Sequence, residues 1–270
     1  MKSLANIFNI LKPGRNSAMI CDVFSGNFST WADASAKCEG YSSAAIFEKT
    51  KCAALAVKAG EGMFERDSVL FKAEEFRWEL LACLNLVAAK TAGRLSVLDF
   101  GGSLGSSYFQ HRKLLQCLPD LSWCVVEQPH YVDFGANHLQ DERLKFYPTI
   151  KDACSSCRPN VVLFGSVLEY LPEPFKILKD VFSAGIPFIV IDRTAFCSGD
   201  RDRLTIQKVS PEIYDASYPA WFFSLEKFEN FMKAASFEMM ADWICEDDFP
   251  LAGETTSFRG FFFQKSSGKK

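Results

Sequence analysis

Leu95–Phe109 reads LSVLDFGGSLGSSYF. An apolar run closes on Asp99, glycines stand at 101, 102 and 105, and the residues behind them can start a helix. The pattern predicts a β-strand feeding a tight loop into a helix N-terminus. Gly101, Gly102 and Gly105 let the backbone approach a ligand where side chains would stand in the way. The loop amides and the helix start then offer donors and a partial positive charge to a carboxylate or phosphate. Any tight strand-to-helix connection can also use glycine, so the surrounding chain decides between a ligand loop and an ordinary turn.

Around this stretch, short apolar strands alternate with helical patterns. Upstream, Ala73–Ala92 carries Phe76, Leu80, Leu81, Leu84 and Val87 at three- and four-residue steps, and Gly93 stops it. Downstream, Tyr108–Cys117 reads as a helix, and Leu121–Glu127 (LSWCVVE) as a second strand that again ends on an acid. Leu144–Tyr147, Val161–Phe164 and Pro187–Asp192 (PFIVID) supply the third, fourth and fifth strands, and Phe237–Cys245 and Phe258–Gln264 two late ones. Such alternation predicts a doubly wound α/β fold, a mostly parallel sheet with helices on both faces. The expected organisation is a helical cap over 1–72, the α/β domain over 73–265 with an insertion at about 194–224, and a solvated tail at 266–270. Within the cap, Pro13-Gly14 closes a leading helix, Ser29 or Thr30 caps a short helix stopped by Gly40, and Ser42–Ala59 forms another. Trp31 and Tyr41 sit beside these turns and read first as packing residues.

Composition narrows the partners. The 270 residues are 48% apolar and 23% charged, ordinary for a globular protein. A net charge of −3 gives no reason to expect a nucleic-acid or anionic-membrane partner. No run reaches the roughly 18 apolar residues of a membrane span, and the amino terminus lacks the apolar core of a signal peptide. Ten cysteines without a regular framework predict reduced thiols and a cytoplasmic location. Cys154 and Cys157 form a C-x-x-C with no second pair or nearby histidine, so no metal site is expected.

In open α/β sheets ligands sit outside the carboxyl ends of the strands. That edge gathers Asp99, Glu127 with Gln128 beside it, Ser166, Asp192 and Arg193. Glu127 stands about 22 residues after Gly105, a spacing that suits an acid accepting hydrogen bonds from both ribose hydroxyls. A dinucleotide fingerprint begun at Gly101 would need glycine at 103 and 106, where the chain has Ser103 and Ser106. Asp99 is instead placed to hold an ammonium group and would repel a pyrophosphate. A ligand with an amino-acid end and an adenosine end fits both acids: S-adenosylmethionine.

VLDFGGSLG at 97–105 resembles motif I of class I S-adenosylmethionine-dependent methyltransferases, and VVE at 125–127 resembles their ribose-binding acid. VVLFGSVLEYL at 161–171 and the two late strands are similar to the family's fourth-strand motif and terminal antiparallel pair. The resemblance covers about 73–264. It implies a Rossmann-like fold, with Asp99, Gly101, Gly102, Ser103, Gly105, Glu127, Gln128 and Ser166 around the cofactor. Ser103 stands where the motif usually has its middle glycine. After the third strand, LKFYPTIKDA offers only Asp152 where many relatives carry an adenine-contacting acid. FSGNFSTWADA at 24–34 and DRLTIQKVSPEIYDASYPAWFFS at 202–224 resemble a family of bacterial methyltransferases associated with surface-polysaccharide genes. That narrower likeness implies a small or saccharide-like acceptor, methylated at oxygen.

Methyl transfer asks the protein chiefly for position and a dry pocket, with a base for a hydroxyl acceptor. The stretch from Arg193 to Leu225 carries Asp200, Asp202, Arg203, Gln207, Tyr214, Tyr218 and Trp221. It is expected to close over the acceptor, with Asp192, Arg193, Tyr214 and Tyr218 as the catalytic or orienting residues. The alternative is a surface insertion packed by its own aromatics. His130 is a candidate base or plain polar surface, and Glu169-Tyr170 falls where pocket residues are often found. Two other readings stay open: a nicotinamide-dependent oxidoreductase, and a cofactor-binding protein without turnover.

Overall fold

In the computed structural model, residues 23–38, 44–209, 216–245, 251 and 254–266 are described. A central parallel sheet is built from β4 (Arg94–Phe100), β5 (Asp120–Val126), β6 (Leu144–Tyr147), β7 (Val161–Gly165) and β8 (Phe188–Cys197). Its order is β6-β5-β4-β7-β8, so the chain walks outward from β4 and then crosses back to its other side. The reversal puts the ligand crevice at the carboxyl ends of β4 and β7. β12 (Thr256–Lys265) runs antiparallel along β8, and β11 (Phe237–Ile244) pairs antiparallel with β12. The doubly wound, mostly parallel sheet with a late antiparallel pair is therefore the observed architecture.

Helices cover both faces. α3 (Trp78–Lys90), α4 (Ser106–Leu115) and α5 (Pro129–His138) pack on one side, where Leu84, Val87, Leu95, Val97, Tyr108, Trp123 and Tyr131 share a core. α6 (Ile150–Cys157), α7 (Pro174–Ser183) and α8 (Leu225–Ala234) cover the other, around Leu98, Val162, Phe164, Ile191, Phe196 and Phe261. Successive strand residues feed opposite clusters, as a sheet buried on both faces requires. α3 begins at Trp78 rather than Ala73, and Phe76 precedes it. No described helix is long and apolar enough to cross a membrane.

Three expectations are corrected. First, the fifth strand does not stop at Asp192 but runs on to Cys197. Thr194 faces Arg259 and Ile191 faces Phe261, so Asp192 and Arg193 oppose the single residue Gly260 in a bulge, with Arg193 at φ 55°. Second, the stretch after the bulge, for which the sequence predicts no strands, contributes two. β9 (Arg203–Lys208) and β10 (Ser217–Ser224) pair antiparallel, β1 (Phe24–Phe28) adds to β9, and β10 joins the extended end of β8. Third, Cys124 of β5 and Cys157 of α6 are joined by a disulfide, contrary to the expected full set of thiols. Cys157 therefore pairs across the fold and not with its C-x-x-C neighbour Cys154, which is a free thiol.

The amino-terminal part holds α1 (Trp31–Ser35), capped by Thr30, then α2 (Ala44–Lys58) and the hairpin β2 (Phe64–Arg66) and β3 (Val69–Phe71). The hairpin turns through Asp67 and Ser68, both with positive φ, the paired left-handed geometry that matches strand twist. Pro13-Gly14, Gly40, Tyr41 and Tyr214 lie outside the described residues.

Candidate active site

The glycine loop follows β4 with positive φ at Gly101 (68°), Ser103 (54°) and Gly105 (89°). A side chain at Gly101 would be driven into Val167, its β-carbon 2.3 Å from Val167 Cγ2. The loop after β4 and the turn after β7 are thus pressed together across the crevice. At Gly102 a β-carbon would fall 2.5 Å from the Asp99 carboxyl, so the loop lies directly on that acid. A β-carbon at Gly105 would meet Leu144 and Phe109, which is close helix–strand packing. Ser103 adopts the left-handed backbone with a side chain, at a cost of about 1–2 kcal/mol that the surrounding loop sustains.

Asp99 is 1% exposed and accepts a 2.9 Å hydrogen bond from Trp123 Nε1 on β5. Burial pushes its carboxyl up to about 7, against the Trp123 hydrogen bond, and the charge of Glu127 adds to the rise. Glu127 follows β5, half-buried, with its carboxylate turned back onto the Gln128 amide. Burial raises its pKa, and the Gln128 hydrogen bond opposes the rise. Gln128 itself is the residue before α5, which starts at Pro129. The two acids sit at the ends of adjacent strands, as the sequence predicts. An open groove of about 810 Å³, touching Phe100, Val126, Pro148, Ile150, Cys154 and Ile177, begins at the same edge. Asp152, beside that groove, is occupied in a reciprocal cap with Thr149.

On the β7 side, Ser166 has φ 53°, and its amide donates to the Asp192 carbonyl at 2.8 Å. Ser166 Oγ lies 3.3 Å from Oε1 of Glu169, in the 3-10 turn Leu168–Tyr170. Glu169 is 1% exposed and its Oε2 has no hydrogen-bond partner, a costly arrangement for a carboxylate. Burial pushes its carboxyl up to about 8. Thr194 Oγ1, just past the β8 bulge, is likewise buried, and its hydroxyl favours the ionised form of Glu169.

Other predicted residues are engaged with partners of their own. Asp192 does not face the crevice as a free acid: Oδ1 accepts from Arg77 Nη2 at 2.8 Å and from Trp243 Nε1 at 3.1 Å. Trp243 reaches it by lying across Gly260, where a β-carbon would be 1.9 Å from its ring. Tyr218, on β10, is buried with its ring edge-on to Tyr170 at 5.1 Å. His130 packs its ring against Phe47 at 4.6 Å, and His111 is buried between the Arg77 amide and the Ser107 carbonyl. Trp31 stacks on Trp221 at 6.2 Å.

Sequence reading missed the contributions of the amino-terminal part. α2 spans the edge: Ile46 packs with Ala216 and Tyr218, while Phe47 packs on His130 and Tyr131. Glu65 of β2 is 3% exposed, accepts from Ser106 at the start of α4 and from the Ser68 amide at 3.3 Å, and is pushed up to about 7 by burial. The α2 contacts and the Glu65–Ser106 contact have no local sequence signal, since each joins residues far apart in the chain. No group of acids, histidines and cysteines able to hold a metal occurs among the described residues.

No protein-family model and no curated protein matches this chain. Solved structures do. The N-terminal domain of EvdMO1, crystallised in the presence of S-adenosylhomocysteine and D-fucose, aligns at a TM-score of 0.48 and 11% identity over 81% of this chain and 97% of that one. CalS10, an amino pentose methyltransferase from Micromonospora echinaspora with bound S-adenosylmethionine, aligns at 0.44 and 12% identity over 72% and 93%. Magnesium protoporphyrin IX methyltransferase from Synechocystis PCC 6803 aligns at 0.44 and 12% identity over 70% and 79%.

Proposed function

We propose that the chain is an S-adenosylmethionine-dependent methyltransferase that methylates a small or saccharide-like acceptor at oxygen. The observation that carries this reading is the pair Asp99 and Glu127 flanking a glycine loop that a single β-carbon would close. Asp99, beneath Gly102, is placed for the ammonium of the methionine end, and the loop amides for its carboxylate. Glu127 and Gln128 take the ribose, which needs a half-buried acceptor of this kind. When bound, the cofactor supplies an electrophilic methyl on a cationic sulfur. The chain then has to orient the acceptor and exclude water, and α2 lies across the edge where it would do so.

A saccharide-like acceptor is supported by the two stretches that carry the narrower resemblance. They are not scattered: Phe24 pairs with Gln207 and Phe28 with Leu204, so both belong to one β-layer beside the crevice. Arg193, Tyr218 and Tyr214 remain our candidates for orienting the acceptor, and Asp192 acts through the geometry of the bulge. Parallel calorimetry with S-adenosylmethionine, S-adenosylhomocysteine and NAD tests the reading. Binding of both adenosyl ligands is expected, and binding of NAD alone would overturn it.

A further inference from the structure

Of the acids buried at the crevice, Asp99 and Glu127 are taken up by the cofactor reading, and Glu65 is held by Ser106 and the Ser68 amide. Glu169 is left. It is 1% exposed, its Oε2 makes no close hydrogen bond, and the Thr194 hydroxyl is a polar neighbour that favours its ionised form. A purely structural carboxyl in this position would be expected to have its hydrogen bonds completed. Its turn also carries Val167, the residue that touches the glycine loop at Gly101. Glu169 therefore stands in the turn that meets the glycine loop, 3.3 Å from the hydroxyl of the partly exposed Ser166 at the end of β7.

We propose that Ser166 and Glu169 form the proton path of the transfer, Ser166 receiving the acceptor's proton and Glu169 storing it. The proposal rests on the methyltransferase reading. The acceptor oxygen bonds to the methyl carbon, and the carbon–sulfur pair stays on sulfur. The acceptor proton moves to Ser166 Oγ as the Ser166 proton moves to the Glu169 carboxylate. One cationic sulfur and one carboxylate are consumed together, leaving a neutral thioether and a neutral acid. Burial suits this exchange. Before transfer, the sulfonium favours an ionised Glu169. After transfer that charge is gone, and the desolvated acid holds its proton. Glu169's own backbone amide, the Ser166 and Thr194 hydroxyls and the charge of Arg193 on the bulge favour the ionised form, and burial opposes all of them.

The test compares S-adenosylmethionine with S-adenosylhomocysteine, which lacks the methyl and the positive charge, by calorimetry near pH 7 in two buffers of different protonation heat. The cationic ligand should release more protons than the neutral one, with a difference approaching one proton. Glu169→Gln, which keeps the shape and removes the titration, should erase the difference while both ligands still bind. An undiminished difference in a folded Glu169→Gln protein overturns the proposal and leaves the methyltransferase reading standing. Failure of the wild type to bind either ligand removes both. If the variant does not fold, carbon-13 observation of glutamate carboxyls in the wild type decides. A carboxyl titrating near neutrality must ionise on adding S-adenosylmethionine and stay protonated with S-adenosylhomocysteine, and the reverse or no response overturns the path.

Discussion

Arg77 Nη2 donates to Asp192 Oδ1 at 2.8 Å, joining the residue before α3 to the bulge of β8 across 115 positions of sequence. Asp192 is 5% exposed, so the carboxylate depends on this partner and on Trp243 for its charge to be tolerated. Arg77→Met should lower stability by about 3 kcal/mol, because it strands a buried charge. Adding Asp192→Asn should recover a large part of the loss. Chemical denaturation of the single and double variants measures both. A single variant as stable as the wild type would show that Asp192 is not structural.

Gly101→Val should abolish binding of S-adenosylhomocysteine. Its β-carbon meets Val167, and the left-handed backbone disfavours a branched side chain. The far strands should be undisturbed, so circular dichroism should change little while calorimetry shows no binding. Retained affinity would make the loop an ordinary turn.

Asp99→Asn keeps an oxygen for Trp123 Nε1 and removes only the charge, whereas alanine would leave the indole donor unpaired. The asparagine variant should fold normally and bind S-adenosylhomocysteine about tenfold to a hundredfold more weakly, the loss of a charge-assisted hydrogen bond. Glu127→Gln should weaken binding by a similar factor. Unchanged affinity in either variant would take that acid out of the cofactor site.

Stability should fall as pH rises through neutrality to about 8. Burial holds Glu65 and Asp99 at about 7 and Glu169 at about 8, while the unfolded chain loses these protons near 4.5 for glutamate and 3.8 for aspartate. The folded state then binds more protons across that window, so their contribution is complete below it and lost as pH passes about 7 to 8. His111 works in the opposite sense, held neutral down to about 4, and costs stability as pH falls from 6.5. Melting temperature should therefore decline through neutrality to about pH 8 and level off above it, less steeply in Glu169→Gln. A flat or rising profile would contradict the burial of these acids.

The glycine loop, the acids at 99 and 127 and the turn at Ser166 are legible in the sequence because each is a local pattern of strand, turn and helix start. What the sequence hides is set by distant partners. β8 passes Asp192 because β12 and β10 continue to pair with it, and the bulge depends on Trp243 occupying the space above Gly260. Cys124 and Cys157 are unremarkable until β5 and α6 are placed side by side. Glu65 reads as one acid in a short strand, and only the docking of its hairpin onto α4 buries it at Ser106.

The pairing of β1 with β9 also governs the order of assembly. Phe24 pairs with Gln207, about 180 residues later, and long-range pairing of this kind forms slowly. During synthesis the amino-terminal strand is therefore expected to remain undocked until nearly the whole parallel sheet has emerged. Removing it from the finished protein would leave β9 with β10 alone, converting an enclosed strand into a free edge open to pairing between molecules.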